Sequence, residues 1–155
     1  MTRTLSKEVA THVGKTVTIQ GWLHKKRLLG GLSFILVRDR TGVTQVVVDD
    51  KKEVEKLRAL QIGTVLKATG KVVKEERAAG GAELHEAKLE VMVAVTDESP
   101  IEIDKPLDHK SENLDTLLDN RVVGLRNLRE TAIFRIQDRV LEGARRYSTK
   151  MVLPK

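Results

Sequence analysis

Between Lys25 and Gln45 the chain carries a run of three cations, a phenylalanine and a primary amide: Lys25-Lys26-Arg27, Phe34 and Gln45. Each type has a use against a single-stranded nucleic acid. A cation neutralises phosphate, a flat ring stacks on a base, and an amide offers a donor and an acceptor to a base edge. In Leu32-Ser33-Phe34-Ile35-Leu36-Val37 both faces of a strand are apolar, so alternation alone does not say which face is core. Arg38, two alternations beyond Phe34, decides it, because a core would tolerate a guanidinium poorly; Phe34 is therefore expected outside. Gln45, between Val43 and Val47, and the basic run would each need no explanation beyond a solvated position if taken alone.

Other chemistries find little support. His12, His24, His85 and His109 stand in unrelated contexts without ligand-like spacing, so no metal site is expected. Asp49-Asp50 and Glu75-Glu76 read as solvated carboxylates at element ends. There is no cysteine, no phosphate-cradling GxxxxGK[ST], no GxSxG and no dinucleotide fingerprint, hence no catalytic constellation. The net charge of +6 is unevenly spread: residues 1–45 carry +6, residues 46–120 carry −6 and residues 121–155 carry +6. No apolar run reaches membrane-spanning length and the N-terminus lacks a signal-like apolar core, so a cytoplasmic protein without a membrane partner is expected.

The elements that must position these residues follow from periodicity. Leu5, Val9 and Val13 recur every four residues, which predicts a short helical element capped by Ser6 over one end of a barrel. From Lys15 the period becomes two. A first strand has Gly21 as a bulge or bend, Gly30-Gly31 makes a turn, Leu32–Asp39 a second strand, Asp39-Arg40-Thr41-Gly42 a turn and Val43–Asp49 a third. Lys51–Leu60 predicts a helix, Thr64 to about Lys74 a fourth strand, Glu75–Gly81 a flexible tip and Glu83–Val95 a fifth strand. Five strands with a helix between the third and fourth match the order of an oligonucleotide/oligosaccharide-binding (OB) barrel, a mainly β fold. The expected division is an OB domain over residues 1–96, an extended linker over 97–128 with little to bury, and residues 129–155 with a terminal helix. That helix repeats Ile133, Ile136, Val140 and Ala144 at helical spacing.

Two stretches carry a resemblance. Gly21-Trp22-Leu23, Arg27-Leu28-Leu29-Gly30-Gly31, Phe34, Arg38-Asp39-Arg40-Thr41-Gly42 and Val43-Thr44-Gln45 resemble the N-terminal anticodon-binding domain of class II aspartyl-tRNA synthetases, especially the archaeal type. Leu114 to Arg126 is similar to that family's hinge signature LDTRLDNRxxDLR, a run that favours the aspartyl over the asparaginyl branch; here Leu117 and Gly124 replace its arginine and aspartate. The resemblance covers roughly residues 1–146. It implies tRNA anticodon-loop recognition, with Phe34 stacking on a base, Gln45 reading one, Arg27 as the basic residue before the first turn and Glu83 as an acidic reader opening the fifth strand.

The helix from Ala132 looks like the start of class II motif 1, continuing only as the shortened Ser148–Lys155, and motifs 2 and 3 do not follow. The parent reaction uses ATP and Mg2+; this chain alone is expected to need no cofactor and to be inactive as a ligase. The expected partners are the anticodon stem-loop of tRNA and, through the last helix, a second copy or a synthetase subunit. A general single-stranded nucleic-acid binder and a protein-interaction module are the alternatives.

Overall fold

The computed structural model describes residues 2–29, 32–105, 107 and 113–152. The chain divides into two compact units, Met1–Glu98 and Ser99–Lys155. In the first, strands β1 (Thr16–Leu28), β2 (Ser33–Arg38), β3 (Val43–Val48), β4 (Val65–Lys74) and β5 (Ala82–Val93) close a barrel in the order β1-β2-β3-β5-β4. Helix α1 (Lys51–Ala59) lies in the chain between β3 and β4, so the five-strand order expected from the sequence is met. Every pairing is antiparallel except β3 with β5, which runs parallel and sets Gln45 opposite Glu83. The Gly30-Gly31 turn lies outside the described residues.

Strand β1 serves two partners, pairing through Thr16–Trp22 with β4 and through Trp22–Leu28 with β2. Gly21 stands where these pairings meet, and a Cβ there would come within 2.2 Å of the Arg38 carbonyl oxygen. It permits a close crossing. The register shift of β1 against β2 falls instead between Leu23 and Lys25. Its consequence is large: Leu23 is fully buried in the core, and strict alternation would send Lys25 after it, but the extra residue His24 turns Lys25 and Arg27 outward. Lys26 takes the other face, where its Nζ donates to the carbonyls of Leu57, Arg58 and Leu60 at 3.2, 3.1 and 2.6 Å and closes the C-terminal end of α1. At the other end of α1, the Asp50 carboxylate accepts from the N–H groups of Lys52 and Glu53.

The barrel core gathers Ile19, Leu23, Ile35, Val37, Val46, Leu66 and Leu84, with Leu57 from α1 and Val9 from an N-terminal helix. That helix, Ser6–His12, is a 3-10 helix whose N-cap is Leu5, not Ser6. At three residues per turn, positions four apart lie about 120° apart rather than on one face. Accordingly Val9 is buried while Val13 is exposed. The Ser6 N–H is engaged elsewhere, donating to Asp39 Oδ2 at 2.7 Å, and Lys7 N–H donates to Thr41 Oγ1 at 3.3 Å. Asp39 Oδ1 also accepts from the backbone N–H and hydroxyl of Thr41, both at 2.7 Å, and from Gly42 N–H at 3.1 Å. Burial pushes the Asp39 carboxyl up, but the hydrogen bonds from Thr41 and Ser6 together outweigh it and hold the group below its ordinary value.

The second unit departs from the expected linker with little to bury. Ile101, Ile103 and Leu107 are buried, and Ile101 and Leu107 pack with Leu117 and Val123 in a small core. Two short helices, α2 (Leu114–Asp119) and α3 (Arg121–Gly124), carry part of it. These apolar residues are scattered over coil and single helical turns, so no period announces them. The last helix, α4 (Leu128–Val152), starts at Asn127, whose Oδ1 accepts from Arg129 N–H at 3.0 Å while its Nδ2 donates to the Lys105 carbonyl at 2.6 Å. Ile133, Ile136 and Val140 are exposed along it, as are Phe134 and Leu141. Among the described residues no helix is long and apolar enough to cross a membrane.

Candidate nucleic-acid interface

The alternation of β2 and β3 fixes what the outside of the barrel presents. Ser33, Ile35 and Val37 are buried, leaving Phe34 and Leu36 half-buried on the outer face; Thr44, Val46 and Val48 point in, leaving Gln45 out. Strand register then lines the outer residues into rows. Arg27, Phe34 and Val47 stand abreast in one, and Lys25, Leu36, Gln45 and Glu83 in the next. A depression of about 570 Å³ lies over both rows, lined by Lys25, Arg27, Phe34, Leu36 and Gln45, with Arg77 and Ala79 from the β4–β5 loop. Of the four residues singled out in the sequence, Arg27, Phe34 and Gln45 share this depression.

Glu83 is not part of its lining but holds Gln45. Gln45 Nε2 donates to Glu83 Oε2 at 2.7 Å, and Glu83 is only 6% exposed. Its second oxygen, Oε1, lies 2.7 Å from His85 Nε2. A carboxylate accepts only, so both neighbours donate to it, and the Gln45 amide is oriented with its nitrogen toward Glu83. The carbonyl oxygen of Gln45 and its second N–H are the groups left to meet a base edge. Phe34 supplies a ring beside them, and Lys25, Arg27 and Arg77 add positive charge. The arrangement can stack one base, read the edge of another and attract phosphate.

Arg38 shares the outer face, but its surroundings are not those the sequence suggested. It is 7% exposed, with its guanidinium 5.7 Å from the centroid of the Trp22 ring. An arginine can thus be covered without entering the core, by stacking on an aromatic face. Lys25, already part of the basic run, falls in the depression, whereas its neighbour Lys26 is committed to α1. Arg77, Leu36 and His85 were not singled out for this face. Alternation from Glu83 places His85 on the same side two residues later. Arg77 had no such signal, because its place depends on the loop closed by Glu75 N–H to the Gly81 carbonyl and Gly81 N–H to the Ala78 carbonyl, with positive φ at Gly80 and Gly81.

A larger depression of about 710 Å³ lies elsewhere on the barrel, lined by Asp49, Asp50, Glu53, Lys56, Lys67, Lys88 and Glu90 among others. Its charges have both signs and pair with one another, Lys56 with Glu53 and Lys67 with Glu90. With Glu86 also in the lining, five carboxylates stand against three lysines, and this net negative surface does not attract a polyanion. His12 is likewise engaged locally, its Nδ1 lying 2.9 Å from the Glu8 carbonyl, and His109 lies outside the described residues.

Residues 17–96 match the family described as OB-fold nucleic acid binding domain. The chain belongs to that family. The OB chain is also 39% identical over 138 residues to the aspartate–tRNA(Asp/Asn) ligase of Archaeoglobus fulgidus, a match covering 86% of the chain and 31% of that relative. It is 37% identical over 145 residues to the aspartate–tRNA(Asp/Asn) ligase of Thermus thermophilus, covering 94% of the chain and 32% of the relative. Among solved structures, asparaginyl-tRNA synthetase from Pyrococcus horikoshii complexed with asparaginyl-adenylate superposes with a TM-score of 0.81 at 29% identity, over 97% of this chain and 35% of that one. The resemblance read from Gly21–Gln45 and Leu114–Arg126 is borne out, and the chain spans about a third of the length of the curated relatives it matches.

Proposed function

We propose that this OB chain binds the anticodon loop of a transfer RNA on the outer face of β1, β2, β3 and β5, as the recognition module of an aspartate–tRNA ligase. The observation that carries the reading is the Gln45 amide, oriented by nearly buried Glu83 and set beside half-buried Phe34 under a rim of cations. The curated relatives named as aspartate–tRNA(Asp/Asn) ligases support the choice of RNA. In this reading Phe34 stacks on a loop base, Gln45 reads a base edge with Glu83 fixing its orientation, and Arg27, Lys25 and Arg77 meet phosphate or base. The exposed stripe of α4 serves pairing with a second copy or a synthetase subunit.

Fluorescence anisotropy with labelled anticodon stem-loops tests the reading. The aspartate loop should bind more tightly than the same stem with a scrambled loop. Equal affinity for both would reduce the chain to a general single-stranded binder, and salt-insensitive or absent binding would leave only the protein-interaction reading.

A further inference from the structure

We infer that His85 is a positioning residue for base recognition: by fixing Glu83 from the side opposite Gln45, it sets the donor and acceptor pattern that Gln45 presents. This rests on the anticodon reading above and extends it to a residue that does not line the depression.

Glu83 is the second residue of β5 and is flanked in the sheet by Gln45 on one side and Val73 on the other. Its two carboxylate oxygens are divided between two donors, Gln45 Nε2 on Oε2 and His85 Nε2 on Oε1, each at 2.7 Å. A nearly buried carboxylate cannot leave an oxygen unmatched without cost, so the second donor matters as much as the first. His85 is two residues along the same strand, hence on the same outer face, and its side chain is 40% exposed. Remove the imidazole and Oε1 loses its partner; the carboxylate is then free to turn toward water or to draw both Gln45 N–H groups to itself. Either change alters what the amide shows to a base, while Phe34 and the cations of the rim stay in place. His85 therefore governs discrimination and leaves the stacking and charge contributions untouched.

The test uses the full chain and two readouts. The first needs no RNA: the side-chain amide signal of Gln45 in a 15N-correlated NMR spectrum, identified by its loss in Gln45→Ala. His85→Ala should shift or broaden that signal, and His85→Gln, which keeps an N–H donor at similar reach, should restore it. An unchanged signal in His85→Ala overturns the inference. The second is the ratio of affinities for cognate and non-cognate stem-loops. His85→Ala should lower it by roughly three- to tenfold, the scale of one ordinary hydrogen bond, with His85→Gln near the parent protein. In a Gln45→Ala background the same change should cost nothing more, because the two residues act in series. Additive losses, or no rescue by glutamine, would show that His85 acts through contacts of its own and overturn the inference. Should the parent protein fail to discriminate between loops, the anticodon reading falls; the amide signal still decides whether His85 orients Gln45.

Discussion

Phe34 and Thr44 belong to neighbouring strands and break the usual rule in opposite directions, a ring turned out and a hydroxyl turned in. Phe34 is half-buried outside the barrel core, so its ring is available for stacking at little cost to the fold. Base–aromatic stacking is worth roughly 1–3 kcal/mol, and Phe34→Ala should weaken stem-loop binding by about one to two powers of ten with the thermal melt nearly unmoved. Collapse of the melt would make Phe34 a packing residue. The Thr44 hydroxyl is fully buried with no hydrogen-bond partner among the described residues. Thr44→Val keeps the shape and removes the polar atom, and urea unfolding should show a gain of about 1 kcal/mol; a loss would reveal a partner for the hydroxyl. Gln45→Ala should act differently from both. It should cost about 1–3 kcal/mol of stability, because nearly buried Glu83 loses the donor on Oε2, and narrow the gap between cognate and non-cognate loops, read by competition binding, because an amide left facing the wrong base is unpaired.

At the scale of elements, the turn between β2 and β3 does more than reverse the chain. Asp39 gathers N–H groups from its own turn and from Ser6, tying the 3-10 helix to the barrel. Its carboxyl sits below its ordinary value when folded, so its contribution is complete above about pH 4 and is lost as pH falls through the folded value. Asp39→Ala should cost about 1–3 kcal/mol at neutral pH, and its stability should fall less steeply in acid than that of the parent protein, as measured by urea titrations across acid pH. Parallel pH profiles would assign the acid sensitivity to other groups. The five strands, their order and the helix after β3 were legible because alternation and glycine-bearing turns are local signals. The bulge after Leu23 was not, since Gly21 is the more conspicuous interruption and nothing in Leu-His-Lys marks an extra residue. That one residue decides which of Lys25, Lys26 and Arg27 line the depression. The bond between Gln45 and Glu83 joins positions 38 residues apart through a parallel pairing, and no local pattern foretells it; family resemblance, not periodicity, pointed to Glu83.

For the whole molecule, the two units have separate cores, one around Leu23, Ile35 and Leu66 and one around Ile101, Leu107 and Leu117. A chain cut after Glu98 should therefore keep a cooperative melt and its stem-loop affinity, and loss of the melt would mean that the barrel depends on residues beyond it. The second core was hidden from sequence patterning by its small size and by the polar residues between its members. Cations around the Phe34 and Gln45 depression, against a net negative lining in the larger one, also imply a marked salt dependence of RNA affinity. The most direct measurement is the affinity of the full chain for the aspartate anticodon stem-loop and for the same stem with a scrambled loop, followed across a salt series. Both affinities should fall as salt rises while the gap between them persists, because phosphate contacts are screened and the contacts of Phe34 and Gln45 are not. Equal affinities at every salt concentration would contradict base recognition by this face.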